Sequence, residues 1–301
     1  MINKFDRSVP SAAPAEVGRA IADMGATFDF EVLKRTASLY GPLVRAQPKD
    51  GVTIERDVRY GEHERHRIDV FRPAAPGPVI IFVHGGGFVA GDKNVDEDFY
   101  TNIGVYFARQ GCLAITANYR RAPDHRWPAA SEDVGQVVAW AKASAGEHNG
   151  DADNIFLFGQ SAGACHVAGY LFSPELQPPG GSGVAGGVLM SGVYRAFGAD
   201  AGPGITVYFG EDEEARAANC PISRVDAAAI PLLIGVMEFD PPSIATHSFE
   251  LAQALRNSGR APSTFSWFAG HNHASTVYSL GSGQDDVGRS IMDFMARRIP
   301  G

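Results

Sequence analysis

Short apolar runs alternate with amphipathic stretches along most of this chain, and that rhythm predicts a fold before any chemistry is considered. Val79-Ile80-Ile81-Phe82-Val83 is apolar throughout, as a strand buried on both faces must be. The same holds for Ile155 to Phe158, Val184 to Met190 and Pro231 to Met237, and Leu113 to Ala117, broken only by Thr116, reads as a further strand. Helical patterns lie between them: Phe99, Ile103, Tyr106 and Phe107; Val134, Val138 and Ala141; Ala162 to Tyr170; Ile244 to Leu255. A last strand is predicted over Thr264 to Phe268, and a last helix sets Val287, Ile291, Phe294 and Met295 on one face. Two earlier runs, Val52 to Tyr60 and His66 to Phe71, flank a turn at Gly61-Glu62-His63-Glu64. Strands alternating with helices imply an α/β fold with a mostly parallel central sheet and helices on both faces, because each crossover must pack back onto the sheet.

Two segments depart from the rhythm. Residues 1–50 carry no strand signal and are broken by Pro10, Pro14, Pro42 and Pro48; they are expected to form an N-terminal helical arm or cap on an α/β domain spanning 51–301, within one domain overall. Their best helix, Phe30 to Tyr40, places Phe30, Leu33, Ala37 and Tyr40 on one face, with Gly41-Pro42 predicted to end it. Residues 193–225 interrupt the alternation between two strands. Insertions at strand ends border ligand sites in open α/β folds, so Tyr194, Phe197, Tyr208 and Phe209 either line a pocket or anchor the insertion, as part of a small helical cap, to the core.

Composition narrows the function. A net charge of −8, with no basic run longer than Arg120-Arg121 or Arg297-Arg298, argues against nucleic acid as a partner. No secretory apolar core begins the chain and nowhere do eighteen apolar residues run together, so the expectation is a soluble cytoplasmic protein with no membrane partner. Cys112, Cys165 and Cys220 are odd in number and lack C-x-x-C spacing, which implies neither a disulfide framework nor a metal site; Cys112 and Cys165 read as small core residues. The glycines from Gly86 to Gly91 precede Asp92-Lys93-Asn94 rather than Lys-Ser/Thr, so they do not make a nucleotide phosphate loop. No cofactor is expected.

The candidate chemistry sits at strand ends. Phe158-Gly159-Gln160-Ser161-Ala162-Gly163 places a serine between two glycines where a strand meets a helix, a turn so tight that only hydrogen fits at Gly159 and Gly163. A serine hydroxyl needs a base, and the base needs an orienting group. Both follow in order: Glu238-Phe239-Asp240-Pro241 after one strand, and His271-Asn272-His273 after the next. Glu238 or Asp240 could orient the ring, and His271 or His273 could be the base. His84-Gly85-Gly86-Gly87, directly after a strand, offers bare backbone amides to an oxyanion, as does the amide of Ala162.

Together with Asn118-Tyr119-Arg120-Arg121-Ala122-Pro123, Trp127-Pro128-Ala129-Ala130 and Glu132-Asp133, these segments resemble the α/β-hydrolase superfamily, and within it the carboxylesterases similar to hormone-sensitive lipase, over roughly residues 55 to 298. The resemblance implies the α/β-hydrolase fold, with Ser161 as nucleophile, Asp240 as orienter, His273 as base, Gly86, Gly87 and Ala162 as oxyanion donors, and His84 shaping the glycine loop. Asp240-Pro241-Pro242 departs from the Asp-Pro-Leu usual there, and Gly270-His271-Asn272-His273-Ala274-Ser275 is closer to the small carboxylesterases and arylformamidases of the same fold. The implied activity is serine carboxylic-ester hydrolysis through an acyl-enzyme on a small ester. An arylformamidase or other amidase using the same side chains is the alternative, and a non-catalytic ligand-binding protein a more distant one. The sequence leaves the oligomeric state open, a homodimer included.

Overall fold

A computed structural model of the protein describes residues 14–198, 203–260 and 262–299. Its strands are β1 (Thr53–Arg59), β2 (Arg67–Arg72), β3 (Gly77–Val83), β4 (Leu113–Ala117), β5 (Gly150–Gln160), β6 (Gly186–Met190), β7 (Leu232–Phe239) and β8 (Ser263–Asn272). They form one sheet in the order β1-β2-β4-β3-β5-β6-β7-β8. The pairs β1·β2 and β2·β4 are antiparallel and all later pairs are parallel, so β3 to β8 point their C-terminal ends the same way. The helices are α1 (Ala15–Met24), α2 (Phe30–Arg45), α3 (Thr101–Arg109), α4 (Ala129–Ser144), α5 (Ala162–Leu171), α6 (Pro203–Phe209), α7 (Glu213–Asn219), α8 (Pro242–Ser258), α9 (Ser275–Tyr278) and α10 (Asp286–Ala296).

The apolar runs are continuous because the inner strands β3 to β7 are covered on both faces. Val79, Ile81 and Val83 of β3 face a cluster with Leu157 of β5, Val134 and Val138 of α4, Val167 of α5 and Leu251 of α8. Ile80 and Phe82 face the other way, into a second cluster with Phe156, Phe158, Phe107 of α3 and Phe294 of α10. Every strand foreseen is present, and β5 and β8 run further than their apolar cores, far enough that β8 carries His271 and Asn272.

The N-terminal arm departs from expectation in two ways. α2 continues through Gly41 and Pro42 to Arg45, with Ala46 N donating to Pro42 O at 3.1 Å. A proline this near the helix end removes one donor while the final turn still closes behind it. The buried face is also rotated: Val32, Thr36, Tyr40 and Val44 point inward, whereas Phe30 is 74% exposed. Three buried apolar or aromatic side chains at roughly 1.5–3 kcal/mol each outweigh one phenylalanine. α1 and α2 share the second cluster through Val17, Ile21, Val32 and Tyr40, and they pack against β8 and α9.

In the insertion, residues 199–202 lie outside the described residues. Its aromatic residues anchor it: Tyr194, Tyr208 and Phe209 are buried, Tyr208 stacks on Phe88 (5.0 Å between centroids) and Phe209 on Trp127 (5.5 Å). Phe197 packs partly buried against the same cluster.

Candidate active site

The turn from β5 into α5 is as tight as its glycines require. Ser161 has φ 56° and ψ −125°, a left-handed backbone that an L-residue rarely adopts. A Cβ at Gly159 would lie 2.5 Å from the Ala164 Cα, and one at Gly163 only 2.1 Å from Val83 O. Strand and helix touch, therefore, and the serine is thrust out at the helix start. Ala162 N is the first amide of α5, where no intrahelical acceptor exists.

The glycine loop after β3 is held against this turn. A Cβ at Gly85 would sit 3.0 Å from the Ser161 Cβ, and one at Gly86, where φ is 137°, would strike Ala90 O at 2.1 Å. His84 is fully buried; its Nδ1 donates to Gly85 O at 2.6 Å and its ring stacks on Tyr119, whose hydroxyl donates to His84 O at 2.7 Å. Burial pushes the His84 imidazole down to about 4, so it is neutral and purely a scaffold near pH 7. The helix α6 of the insertion covers this loop closely, with Gly204 against Gly87 O.

The two ambiguities left by the sequence separate here. Asp240 is buried, and its Oδ1 accepts from His273 Nδ1 at 2.8 Å. Its Oδ2 accepts from Ser191 Oγ at 2.7 Å and Met237 N at 2.8 Å, which fixes the carboxylate in the ring plane's reach. Glu238 instead accepts from Gly270 N at 2.7 Å on the surface. His271 faces away: Nδ1 meets Ser275 Oγ at 3.0 Å and Nε2 meets Asp286 at 3.0 Å and Gln284 at 2.7 Å. The structure thus joins His273 to Asp240, sets Glu238 on the amide of Gly270 and turns His271 towards Ser275, Gln284 and Asp286.

Because Nδ1 gives its proton to Asp240, Nε2 of His273 is left bare. Gln160 stands beside it, with its amide nitrogen 3.3 Å from His273 Nε2 and 3.1 Å from His273 O. Among the described residues the Ser161 hydroxyl has no hydrogen-bond partner. Phe28, from the turn between α1 and α2, packs its ring edge-on to His273 at 4.4 Å. Ser191, Gln160 and Phe28 escaped sequence reasoning; only the position of Gln160, next to the serine, could have drawn attention to it.

The matching segments outside the strand ends are braces. Arg120 clamps Asp133 through Nε and Nη2 at 2.9 and 2.7 Å, Glu132 accepts from the same Nη2 at 2.9 Å, and His66 meets Asp133 at 3.1 Å. Asn118 accepts from Lys93 N at 2.7 Å. Ala122-Pro123 and Trp127-Pro128 are cis. Cys112, Cys165 and Cys220 are free and buried, and burial raises the Cys112 thiol to about 12, so it stays protonated. Among the described residues no group of three or more His, Cys, Asp or Glu side chains could hold a metal ion, and no helix is long and apolar enough to cross a membrane.

The BD-FAE family model matches residues 68–171, which run from β2 through α5. Among curated relatives, Esterase LipC of Mycobacterium tuberculosis is 38% identical over 112 residues, covering 36% of this chain and 27% of that protein. Esterase LipQ of the same organism is 27% identical over 267 residues, covering 81% of this chain and 62% of that protein. The chain thus spans less than two thirds of the length of these relatives. Among solved structures, a hyperthermophilic esterase from the archaeon Pyrobaculum calidifontis superposes with a TM-score of 0.71 at 18% identity, over 94% of this chain and 98% of that one. A truncated carbohydrate esterase from gut microbiota gives 0.69 at 21% identity, over 84% and 98%.

Proposed function

We propose, from the chain's membership of the α/β-hydrolase superfamily and its likeness there to the carboxylesterases resembling hormone-sensitive lipase, that it hydrolyses small carboxylic esters by serine catalysis through an acyl-enzyme. The observation that carries this reading is the buried His273–Asp240 pair at 2.8 Å, delivered from the ends of β8 and β7 to the same sheet edge as Ser161.

In this reading Nε2 of His273 takes the proton of Ser161 as the hydroxyl attacks the ester carbonyl. Asp240, accepting from Nδ1, keeps the ring in the required tautomer and stabilises the imidazolium. The amides of Gly86, Gly87 and Ala162 bind the oxyanion, and the imidazolium then protonates the departing alkoxide. Water repeats the sequence on the acyl-enzyme. A small-molecule ester is the substrate, and no step requires a metal or organic cofactor. The direct test is Ser161→Ala on short p-nitrophenyl esters. We expect the parent to turn over and the variant to lose at least about a thousandfold in kcat with its circular dichroism unchanged. Undiminished turnover by the variant would refute the assignment.

A further inference from the structure

The strongest feature without a role in that scheme is the side chain immediately before the serine. Gln160 is 4% exposed, and its Oε1 lies beneath the glycine loop, where a Cβ on Gly85 would meet it at 2.8 Å. Its amide nitrogen faces both the carbonyl oxygen of His273, at 3.1 Å, and Nε2 of the same residue, at 3.3 Å. The orientation of this amide follows from chemistry: a carbonyl oxygen can only accept, so the NH2 end must point at His273. That group has two protons, one for each acceptor. Since Nδ1 of the ring donates to Asp240, Nε2 is an acceptor as well. One amide therefore touches the serine's own strand, the glycine loop and the base.

We propose that Gln160 is a positioning residue for the base: its amide holds the carbonyl and the bare Nε2 of His273 in the resting state and yields Nε2 to Ser161 when an ester occupies the site. The inference rests on the proposed roles of Ser161 and His273. A neutral donor on Nε2 can bond only the unprotonated ring, so it favours the form competent to accept the serine proton. Few other polar groups compete at that ring. Asp240 holds Nδ1; Thr276 Oγ1 donates to the His273 carbonyl at 3.0 Å; Phe28 covers one edge. His271 is turned onto Ser275 and Asp286, Glu238 onto Gly270 N, and Asp29, beside Phe28, accepts from Val32 N at 2.8 Å.

The test is the acid limb of the pH profile of kcat/KM for a short p-nitrophenyl ester, measured for the parent, Gln160→Met and Gln160→Glu, with Ser161→Ala beside them. Methionine keeps the volume and removes the donor; the limb should move up by about half a pH unit. Glutamate replaces the donor by an acceptor that stabilises the imidazolium, and the limb should move up by about one to two units. Gln160→Ala serves in place of methionine if that variant does not fold, with the same shift expected. A merely structural role would lower the rate and leave the limb where it was. Profiles of the Gln160 variants that superpose on the parent's, with Ser161→Ala inactive, overturn the proposal alone. An active Ser161→Ala overturns the reading beneath it.

Discussion

At the scale of single residues, the site depends on groups that hold other groups. Asp240 accepts three hydrogen bonds, and one comes from Ser191, itself at φ 47° just past the end of β6. A hydroxyl donating to a carboxylate is worth about 1.5–3 kcal/mol. Ser191→Ala should therefore loosen the carboxylate, left with Met237 N and His273 as its partners, and lower kcat by about tenfold while KM changes little. Steady-state kinetics on the same ester would show this, and a proportional rise in KM instead would place Ser191 in substrate binding. The contrast with Glu238 is instructive. Two residues apart on one strand end, the two carboxylates differ in burial: Asp240 is covered and turned to the ring, and Glu238 is exposed and caps the amide of Gly270.

At the scale of elements, the notable coupling runs from α2 to the loop bearing His273. Thr36 Oγ1 accepts from Asn272 Nδ2 at 2.9 Å, and Tyr40 donates to Gln284 at 2.7 Å, whose amide meets His271 at 2.7 Å. Thr36→Val leaves the buried Asn272 amide short of an acceptor, which costs about 1–3 kcal/mol. We expect a fall in Tm of a few degrees together with a loss in kcat, since the unsatisfied group adjoins the proposed base; calorimetry and kinetics on Thr36→Val and Tyr40→Phe check both.

This coupling also shows where sequence reasoning stopped. The inner strands were legible because burial on two faces leaves few polar positions to confuse the pattern, as in Val79 to Val83. The serine turn was legible because its glycines answer to sterics that any sequence must obey. The inward face of α2 was not, since Thr36 looks polar in isolation, and its buried hydroxyl, donating to Val32 O at 2.7 Å, finds its other partner in Asn272, 236 residues later. Gln160 and Ser191 were hidden for the same reason: their partners come from other strands, and a lone Gln or Ser carries no periodic signal. The choice between Glu238 and Asp240 likewise needed the third dimension, because both lie at the same strand end.

At the scale of the whole molecule, buried imidazoles set the response to acid. His84 and His166 are both fully enclosed; burial lowers the first to about 4 and the second to about 3. An unfolded chain takes up these protons below about 6.5, while the folded one resists them. The contribution of these two groups to stability is thus fully present above about pH 6.5 and declines as pH falls towards about 4 for His84 and about 3 for His166. Among the described residues neither ring nitrogen of His166 has a hydrogen-bond partner, and Phe88, Tyr119 and Tyr208 surround it. His166→Leu should flatten the fall of Tm between pH 6.5 and 4 relative to the parent, measured by thermal melts across that range.

The order of strands carries one more consequence. The serine turn and the glycine loop belong to β3 and β5, in the middle of the sheet, whereas the aspartate and the histidine arrive on β7 and β8, the last of which has a neighbour on one side only. Phe265 and Trp267 lie open to solvent on that rim. Fraying begins at such a margin, and under the proposed scheme it would carry the imidazole off while leaving the elbow intact: molecules that still look native to far-ultraviolet light, yet whose hydroxyl would have nowhere to send its proton.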